Sequence, residues 1–438
     1  MNISVMGAGY VGLVTGACFA EFGLSVICAD IDAERIRLLQ NGQVPFYEPG
    51  LEELVDSNLR QGRLEFTTDI QKAVSGSRVI LIATGTPSNG DGSANISQVL
   101  EATRTISQFI TDYKIVVTKS TIPVGTTRKL KKIITVGLPA HASVDVVANP
   151  EFLREGSALE DFFRPNRVII GVESIQAKAI MKELYSPFYL IETPIVFTNL
   201  ETAELIKYAT NAFLATKITF INEISNLCEA VGADVHHVAK GLGLDQRIGR
   251  KFLHPGPGFG GSCLPKDTAA LLFTARENNC NLRIVNAVLE ANSEQKLRMV
   301  GKIRNALGNL DGKTIGILGL SFKPNTDDVR DAQSLRIIDE LKKEGAMIKV
   351  FDPAAMENAK KVLRGIEFCD GPYEVAKDSD ALVFLTEWNQ FRKLDMDKIK
   401  SALRSPIIID LRNIYEPDVM EDMGFTYISI ARRRLDLV

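Results

Sequence analysis

The sequence predicts an α/β fold in which two doubly wound, mostly parallel sheets are joined by a long central helix. Three observations predict it. Short apolar runs alternate with amphipathic stretches over the first 200 residues, the pattern of βαβ units. From Leu200, some 30 residues then keep helical spacing without a Gly or Pro. A second alternating pattern begins at Lys313. The expected division is 1–199, 200–300 and 301–438.

Each element has its own reason. Ile3–Met6, Ser25–Ala29, Val79–Ala83, Ile115–Thr118 and Val144–Ala148 are Val- and Ile-rich runs and predict strands. Leu13–Phe22, Ala33–Gln40 and Ile96–Ile110 read as helices, the last with Asn95 and Gln98 at capping-box spacing. In the centre, Leu205, Ile206, Ala209, Phe213, Thr216, Phe220, Ile224 and Leu227 recur at helical spacing up to about Val231. Such a helix would be roughly 45 Å long at 1.5 Å per residue. That length suits a bridge between domains or a subunit interface. Leu253–Pro265 contains three prolines and four glycines and predicts a constrained loop. The second pattern gives strand Thr314–Leu318, helix Gln333–Lys343 and strands Met347–Phe351, Ala381–Leu385 and Pro406–Ile409.

Composition narrows the function. The 438 residues carry 51 Lys plus Arg against 54 Asp plus Glu, a net charge of −3. That balance gives no electrostatic footprint for nucleic acid. No apolar stretch approaches 18 residues, so no transmembrane helix is expected. The apolar N-terminus lacks a basic leader and is broken by glycines and Glu21, which argues against a signal peptide. Six cysteines lie far apart with no C-x-x-C pair, and four histidines have no ligand spacing. A reducing cytoplasm without a metal site is the expectation.

Gly7-Ala8-Gly9-Tyr10-Val11-Gly12 follows the first strand and opens a helix, with Asp30 at the end of the second strand. Gly7 would permit the turn, Gly9 the approach of a pyrophosphate, and Gly12 close helix–strand packing. Asp30 would bind an adenosine ribose and repel a 2′-phosphate, which favours NAD over NADP. Thr84-Gly85-Thr86-Pro87 and Lys119-Ser120-Thr121-Ile122-Pro123 follow strands of the same domain, where ligands of open parallel sheets lie.

The most specific segment is Phe259-Gly260-Gly261-Ser262-Cys263-Leu264-Pro265-Lys266-Asp267. A nearby cation such as Lys266 favours the nucleophilic thiolate, and Asp267 offers a group to position water or move a proton. Cys18, Cys28, Cys228, Cys280 and Cys369 read instead as small buried hydrophobes. Lys207 and Asn211 are one helical turn apart and share a face. Alone the pair reads as a solvated surface; aimed at one point it would stabilise an oxyanion. Glu151 and Glu155, in Asn149–Gly156, add two carboxylates beyond a strand of the first domain.

Together these motifs resemble the UDP-glucose 6-dehydrogenase group of the UDP-glucose/GDP-mannose dehydrogenase family, from Met1 to about Arg432. The resemblance also rests on Tyr47-Glu48-Pro49-Gly50-Leu51, Gly258–Asp267, Ser321-Phe322-Lys323 and Glu387-Trp388. It implies an N-terminal Rossmann NAD domain, a central dimerising helix and a C-terminal UDP-sugar domain. It implies a four-electron oxidation of UDP-glucose with NAD, by way of a Cys263 thiohemiacetal and thioester. By resemblance, Lys207, Asn211 and Asp267 surround the reacting carbon, and Thr121 with Glu151 holds water. NAD contacts fall to Gly7, Gly9, Tyr10, Val11, Gly12, Asp30, Arg35, Thr86, Thr121, Glu155, Lys266 and Arg330. Besides Glu151, Lys207 and Asn211, sugar-nucleotide contacts fall to Phe152, Leu153, Arg247, Phe252, Gly260 and Lys323, with Arg247 reaching a second copy of the chain. Arg35 stands for the basic residue often found after Asp30.

Two rivals are a dehydrogenase for GDP-mannose or another UDP-sugar, and a catalytically silent NAD-binding regulator. Tyr47 before Glu48, and Asp245-Gln246-Arg247-Ile248-Gly249, favour the UDP-glucose group by resemblance. Intact Cys263, Lys207, Asn211 and Asp267 argue against a silent copy.

Overall fold

A computed structural model describes residues 1–432. They form two open α/β sheets. The first contains β1 (Asn2–Met6), β2 (Ser25–Ala29), β3 (Leu64–Thr67), β4 (Val79–Ile82), β5 (Lys114–Thr118), β6 (Val144–Ala148), β7 (Val168–Gly171) and β8 (Ile195–Thr198). Its order is β3-β2-β1-β4-β5-β6-β7-β8. Neighbours are parallel except β6 with β7, which meet antiparallel at Ala148 and Gly171. The second sheet contains β9 (Thr314–Leu318), β10 (Met347–Phe351), β11 (Glu367–Phe368), β12 (Ala381–Phe384), β13 (Ile407–Asp410) and β14 (Thr426–Ser429). It is parallel throughout, in the order β11-β10-β9-β12-β13-β14.

Both sheets carry the 3-2-1-4-5-6 order of a dinucleotide fold, so each reverses direction beside its first strand. Burial on both faces explains the continuous apolar runs. In β4, Val79 and Leu81 join one core cluster while Ile80 and Ile82 join the other, and all four are fully buried. Ala381 and Val383 of β12 likewise face one cluster, Leu382 and Phe384 the opposite one. Period-two side chains between two helical layers require this.

The central helix runs Leu200–Val231, as its periodicity predicts. By contact, the chain divides into two units, Met1–Thr210 with Ala269–Cys280, and Asn211–Thr268 with Asn281–Val438. The division falls within that helix. No helix of the described residues is long and apolar enough to cross a membrane.

Four sequence expectations need correction, the first being Cys280, which was read as a small buried hydrophobe and is exposed. The helix predicted at Ile96–Ile110 spans Ser97–Ser107 without a capping box. Asn95 instead accepts from the Ser97 N–H at 3.0 Å, a local turn that uses up its side chain. Leu253–Pro265 is not a loop to its end, because a helix begins at Leu264 and runs to Glu277. The helix expected from Leu13 starts earlier, at Tyr10.

Candidate active site

In the first unit, β1 passes through Gly7 into the helix Tyr10–Glu21. Gly7 has φ +100°, and a Cβ on Gly12 would lie 1.8 Å from the Gly7 carbonyl oxygen. Side chains at either position would break the turn. Nothing lies within 4 Å of where a Gly9 Cβ would be. That open space and the uncapped first-turn N–H groups fit a pyrophosphate. Asp30 is buried at the end of β2 and accepts from the Ala8 N–H (2.7 Å), the Asp32 N–H (3.0 Å) and the Arg35 guanidinium (3.0 Å). Half-buried Thr86 and Thr121 stand in the loops that follow β4 and β5.

The same sheet positions Glu151. The loop after β6 turns its carboxylate inward, where it accepts from the Leu153 N–H (2.5 Å) and pairs with the Lys207 ammonium (3.1 Å). Both partners are buried. Lys207 is therefore no solvated helix face. Its Nζ also lies 5.3 Å from the centre of the Phe152 ring, whose face is covered by Arg167 at 3.7 Å. Glu48, which the sequence offered only as part of a motif, is a buried anchor. It accepts from the Tyr10 hydroxyl (2.6 Å) and from the Gly156 (2.5 Å) and Ala158 (2.8 Å) N–H groups. These bonds hold the Glu155 loop against the start of the first helix. The pairing and burial together hold the Tyr10 hydroxyl in its neutral form.

In the second unit, Cys263 is exposed and immediately precedes the helix Leu264–Glu277, whose Asp267 N–H bonds the Cys263 carbonyl at 2.9 Å. A thiol at a helix N-terminus gains thiolate character from the dipole. Pro265 was the signal for this start, since proline suits the first turn of a helix. Asp267 is 1% exposed. Its two oxygens accept from Asn211 (2.6 Å) and from Lys266 (2.5 Å), so the Lys266 charge is spent on Asp267. Asn211 too is buried.

Buried amides that the sequence reading missed hold the cysteine loop. Asn292 accepts from the Phe259 N–H (2.7 Å) and donates to its carbonyl (3.0 Å). Gln295 donates to the Gly256 carbonyl (3.0 Å), and Asn222 accepts from the Gly256 N–H (2.8 Å). Asn292 and Gln295 lie three residues apart on a buried helix face, a polar pair that periodicity could have exposed. Phe252 holds a left-handed backbone, φ 64°, which a bulky side chain adopts only under local constraint. Arg247 is exposed and bonded to Asp245.

The cysteine loop lies over the turn after β9. A Cβ on Gly261 would meet the Phe322 ring at 2.7 Å, and one on Gly260 the Asp331 carbonyl oxygen at 2.4 Å. The Gly261 N–H donates to the Arg330 carbonyl (3.1 Å), and the Arg330 side chain pairs with Asp328 (2.8 Å). Lys323 follows Phe322, its Nζ 5.4 Å from that ring. This turn is not a second copy of the first. Asp352, at the end of β10 as Asp30 is at the end of β2, accepts from Leu320 and Ser321 N–H, the Ser321 hydroxyl and the Trp388 indole (2.7–3.2 Å). Unlike Asp30, it is also bonded by an aromatic side chain from the loop after β12.

Comparison with known proteins agrees with this division of labour. Residues 1–189 match the NAD binding domain of the UDP-glucose/GDP-mannose dehydrogenase family, 201–294 its central domain, and 316–417 its UDP binding domain. The chain belongs to this family. A UDP-glucose 6-dehydrogenase of Rhizobium meliloti is 52% identical over 99% of this chain and 100% of its own. UDP-glucose 6-dehydrogenase TuaD of Bacillus subtilis is 48% identical over 98% of this chain and 93% of its own. Among solved structures, a UDP-glucose dehydrogenase from Pyrobaculum islandicum superposes with TM-score 0.91 at 36% identity, covering 99% of this chain and 98% of that one.

Family membership makes the protein an NAD-dependent oxidoreductase, and the Asp30–Arg35 pair then sets a testable preference. If Asp30 is the ribose acceptor expected from the sequence, Asp30→Ala removes it and leaves the Arg35 guanidinium, still 3.5 Å from Asp32, freer to meet a 2′-phosphate. The ratio of kcat/KM for NAD to that for NADP should fall by about tenfold or more. An unchanged ratio would place the ribose away from Asp30.

Proposed function

We propose that the protein oxidises UDP-glucose to UDP-glucuronate in two NAD-dependent steps. The observation that carries this reading is Cys263 exposed at a helix N-terminus, with Asp267 locked behind it by Asn211 and Lys266. The full-length relatives described above bear the corresponding name. NAD, when bound, accepts a hydride in each oxidation. Gly7, Gly9, Tyr10, Val11, Gly12, Asp30 and Arg35 hold its adenosine and pyrophosphate, with Thr86, Thr121, Glu155, Lys266 and Arg330 as further contacts.

The chain's own residues account for the steps between. Removal of a first hydride from C6, with loss of the hydroxyl proton, gives an aldehyde. The Cys263 sulfur adds to its carbon, and the oxygen becomes an oxyanion stabilised by Lys207 and Asn211. Loss of the second hydride leaves a thioester. A water held by Thr121 and Glu151, with Asp267 as a further proton acceptor, attacks that carbon and releases the acid and the thiol. Phe152, Leu153, Arg247, Phe252, Gly260 and Lys323 hold the sugar nucleotide. We place this chemistry in the cytoplasm.

A second copy of the chain completes the reading. Leu205, Phe213, Phe220 and Leu227, seven or eight residues apart on the central helix, are 44%, 65%, 48% and 57% exposed. An apolar stripe of this kind marks a protein interface. Arg247, paired with Asp245 of its own loop, serves that partner's site in this reading.

The deciding experiment offers UDP-glucose, UDP-galactose, UDP-N-acetylglucosamine and GDP-mannose, and counts NADH per sugar. Two NADH per UDP-glucose, with much slower turnover of the others, is expected. Preference for another sugar would move the protein within the family, and no NADH with any of them would support a silent regulator. Lys323→Ala should raise KM for UDP-glucose by about tenfold or more and leave that for NAD nearly unchanged. The reverse pattern would exchange the two ligands' domains.

A further inference from the structure

The loop after β5 contains a lysine that the reaction scheme does not use. Lys119 is 5% exposed. Its backbone N–H bonds the Ile82 carbonyl (2.9 Å), and its side chain turns into the first unit. The ammonium bonds the Asn149 carboxamide oxygen (3.1 Å) and the Tyr185 hydroxyl (3.2 Å), and Tyr185 donates to the same Asn149 oxygen (2.5 Å). Among the described residues it makes no ion pair with a carboxylate. Burying an ammonium on neutral partners is costly, and a methionine would fill the volume without that cost.

What surrounds the lysine suggests why it is charged. Asn149 is two residues from Glu151, and Glu151 and Lys207 are the charges that act on Lys119. A cavity of about 50 Å³ is lined by Lys119, Asn149, Glu151, Phe152, Arg167 and Tyr185 among others. It is large enough to hold water. In the reading proposed above, Lys207 must stabilise an oxyanion while also neutralising buried Glu151. One ammonium cannot serve both charges fully.

We propose that Lys119 is a positioning residue: it anchors the Asn149–Glu151 segment and acts as the second counter-ion of Glu151 when Lys207 turns to the oxyanion. The inference rests on the roles given to Glu151 and Lys207. It has a signature in pH. Burial, with the Lys207 charge, outweighs the attraction of Glu151 and lowers the Lys119 pKa to about 8. The lysine is therefore charged below that pH and neutral above it, and kcat should fall through an alkaline limb near there.

The other groups facing the cavity are accounted for. Tyr185 is pushed up by burial and stays neutral. Asp161 is paired with Arg154, and Arg167 lies on the Phe152 ring. Thr15, on the first helix, does not titrate.

The test is the dependence of kcat and KM on pH, from about 6.5 to 9.5, in the full chain with UDP-glucose and NAD. Lys119→Met and Lys119→Gln should lower kcat by about tenfold or more at neutral pH, with KM little changed and the alkaline limb gone. Tyr185→Phe removes an acceptor that favours the ammonium, so its limb should move to lower pH; this variant carries the test if the lysine variants do not fold. Wild-type kcat and limb in the lysine variants, or an unmoved limb in Tyr185→Phe, would overturn the inference. Glu151→Gln measured alongside separates the two levels. If it is slow while the lysine variants are normal, only the Lys119 inference fails; if it turns over normally, the role of Glu151 fails and this inference with it.

Discussion

Cys263→Ala should abolish steady formation of the acid, with a loss of several powers of ten. Removal of a covalent nucleophile elsewhere costs roughly 10⁶-fold. The size follows from the chemistry. An aldehyde has no hydride to give until a nucleophile adds to its carbon, and the sulfur supplies that addition. The first oxidation does not need the sulfur and need not be lost, but supplying the 6-aldehyde directly should not restore acid formation efficiently. Cys263→Ser should add to the aldehyde and then form an ester that hydrolyses slowly, visible as added mass on the intact protein. If the thiol only packed the loop, alanine would be nearly harmless, an outcome already disfavoured by its exposure. A Cys263→Ala protein that yields two NADH per UDP-glucose at near-normal rate would falsify the covalent mechanism.

The parts of this site that were legible in the sequence share a physical cause. Central strands buried on both faces are mostly apolar, so β1, β2, β4, β5, β6, β9, β10, β12 and β13 stood out, even with Lys114, Asp145 and Lys349 among them. The edge strands β3, β8, β11 and β14 bury only part of their surface. Leu64-Glu65-Phe66-Thr67 mixes a charge into four residues, and β11 has only two. Two residues show no period, and the apolar–polar alternation of Leu64–Thr67, although that of a half-buried strand, covers only four. Interior β7 was missed although it is as long and as buried as β4.

The site divides similarly. Gly7, Gly12 and Cys263 were readable because what marks them is local: a turn, a close approach, a thiol just before a helix start that carries a proline. Glu48, Asn292 and Lys119 act on backbone or side chains 30 to 110 residues away. Nothing in their own neighbourhoods announces such partners. Lys266 is a different case: local spacing assigned it to Cys263, and the structure bonds it to the adjacent Asp267.

Lys207→Met should be the next most damaging change, and its interest lies in separating two effects. The ammonium is buried 3.1 Å from Glu151. Removing it leaves a buried carboxylate without this partner, a loss on the order of 3–5 kcal/mol when a buried pair is broken from one side. In the proposed scheme it also removes an oxyanion donor, worth about 10²- to 10³-fold in kcat. A lower melting temperature alone would therefore not distinguish support from catalysis. The double variant Lys207→Met with Glu151→Gln does. Neutralising both partners removes the uncompensated charge, so most of the lost stability should return. The rate should not return, because neither methionine nor glutamine places a cation at the oxyanion. Recovery of kcat together with stability would reduce Lys207 to a structural ion pair. Recovery of stability with kcat well below that of Glu151→Gln alone would assign its charge to the transition state, where an ammonium held on the same helix face as Asn211 has its use.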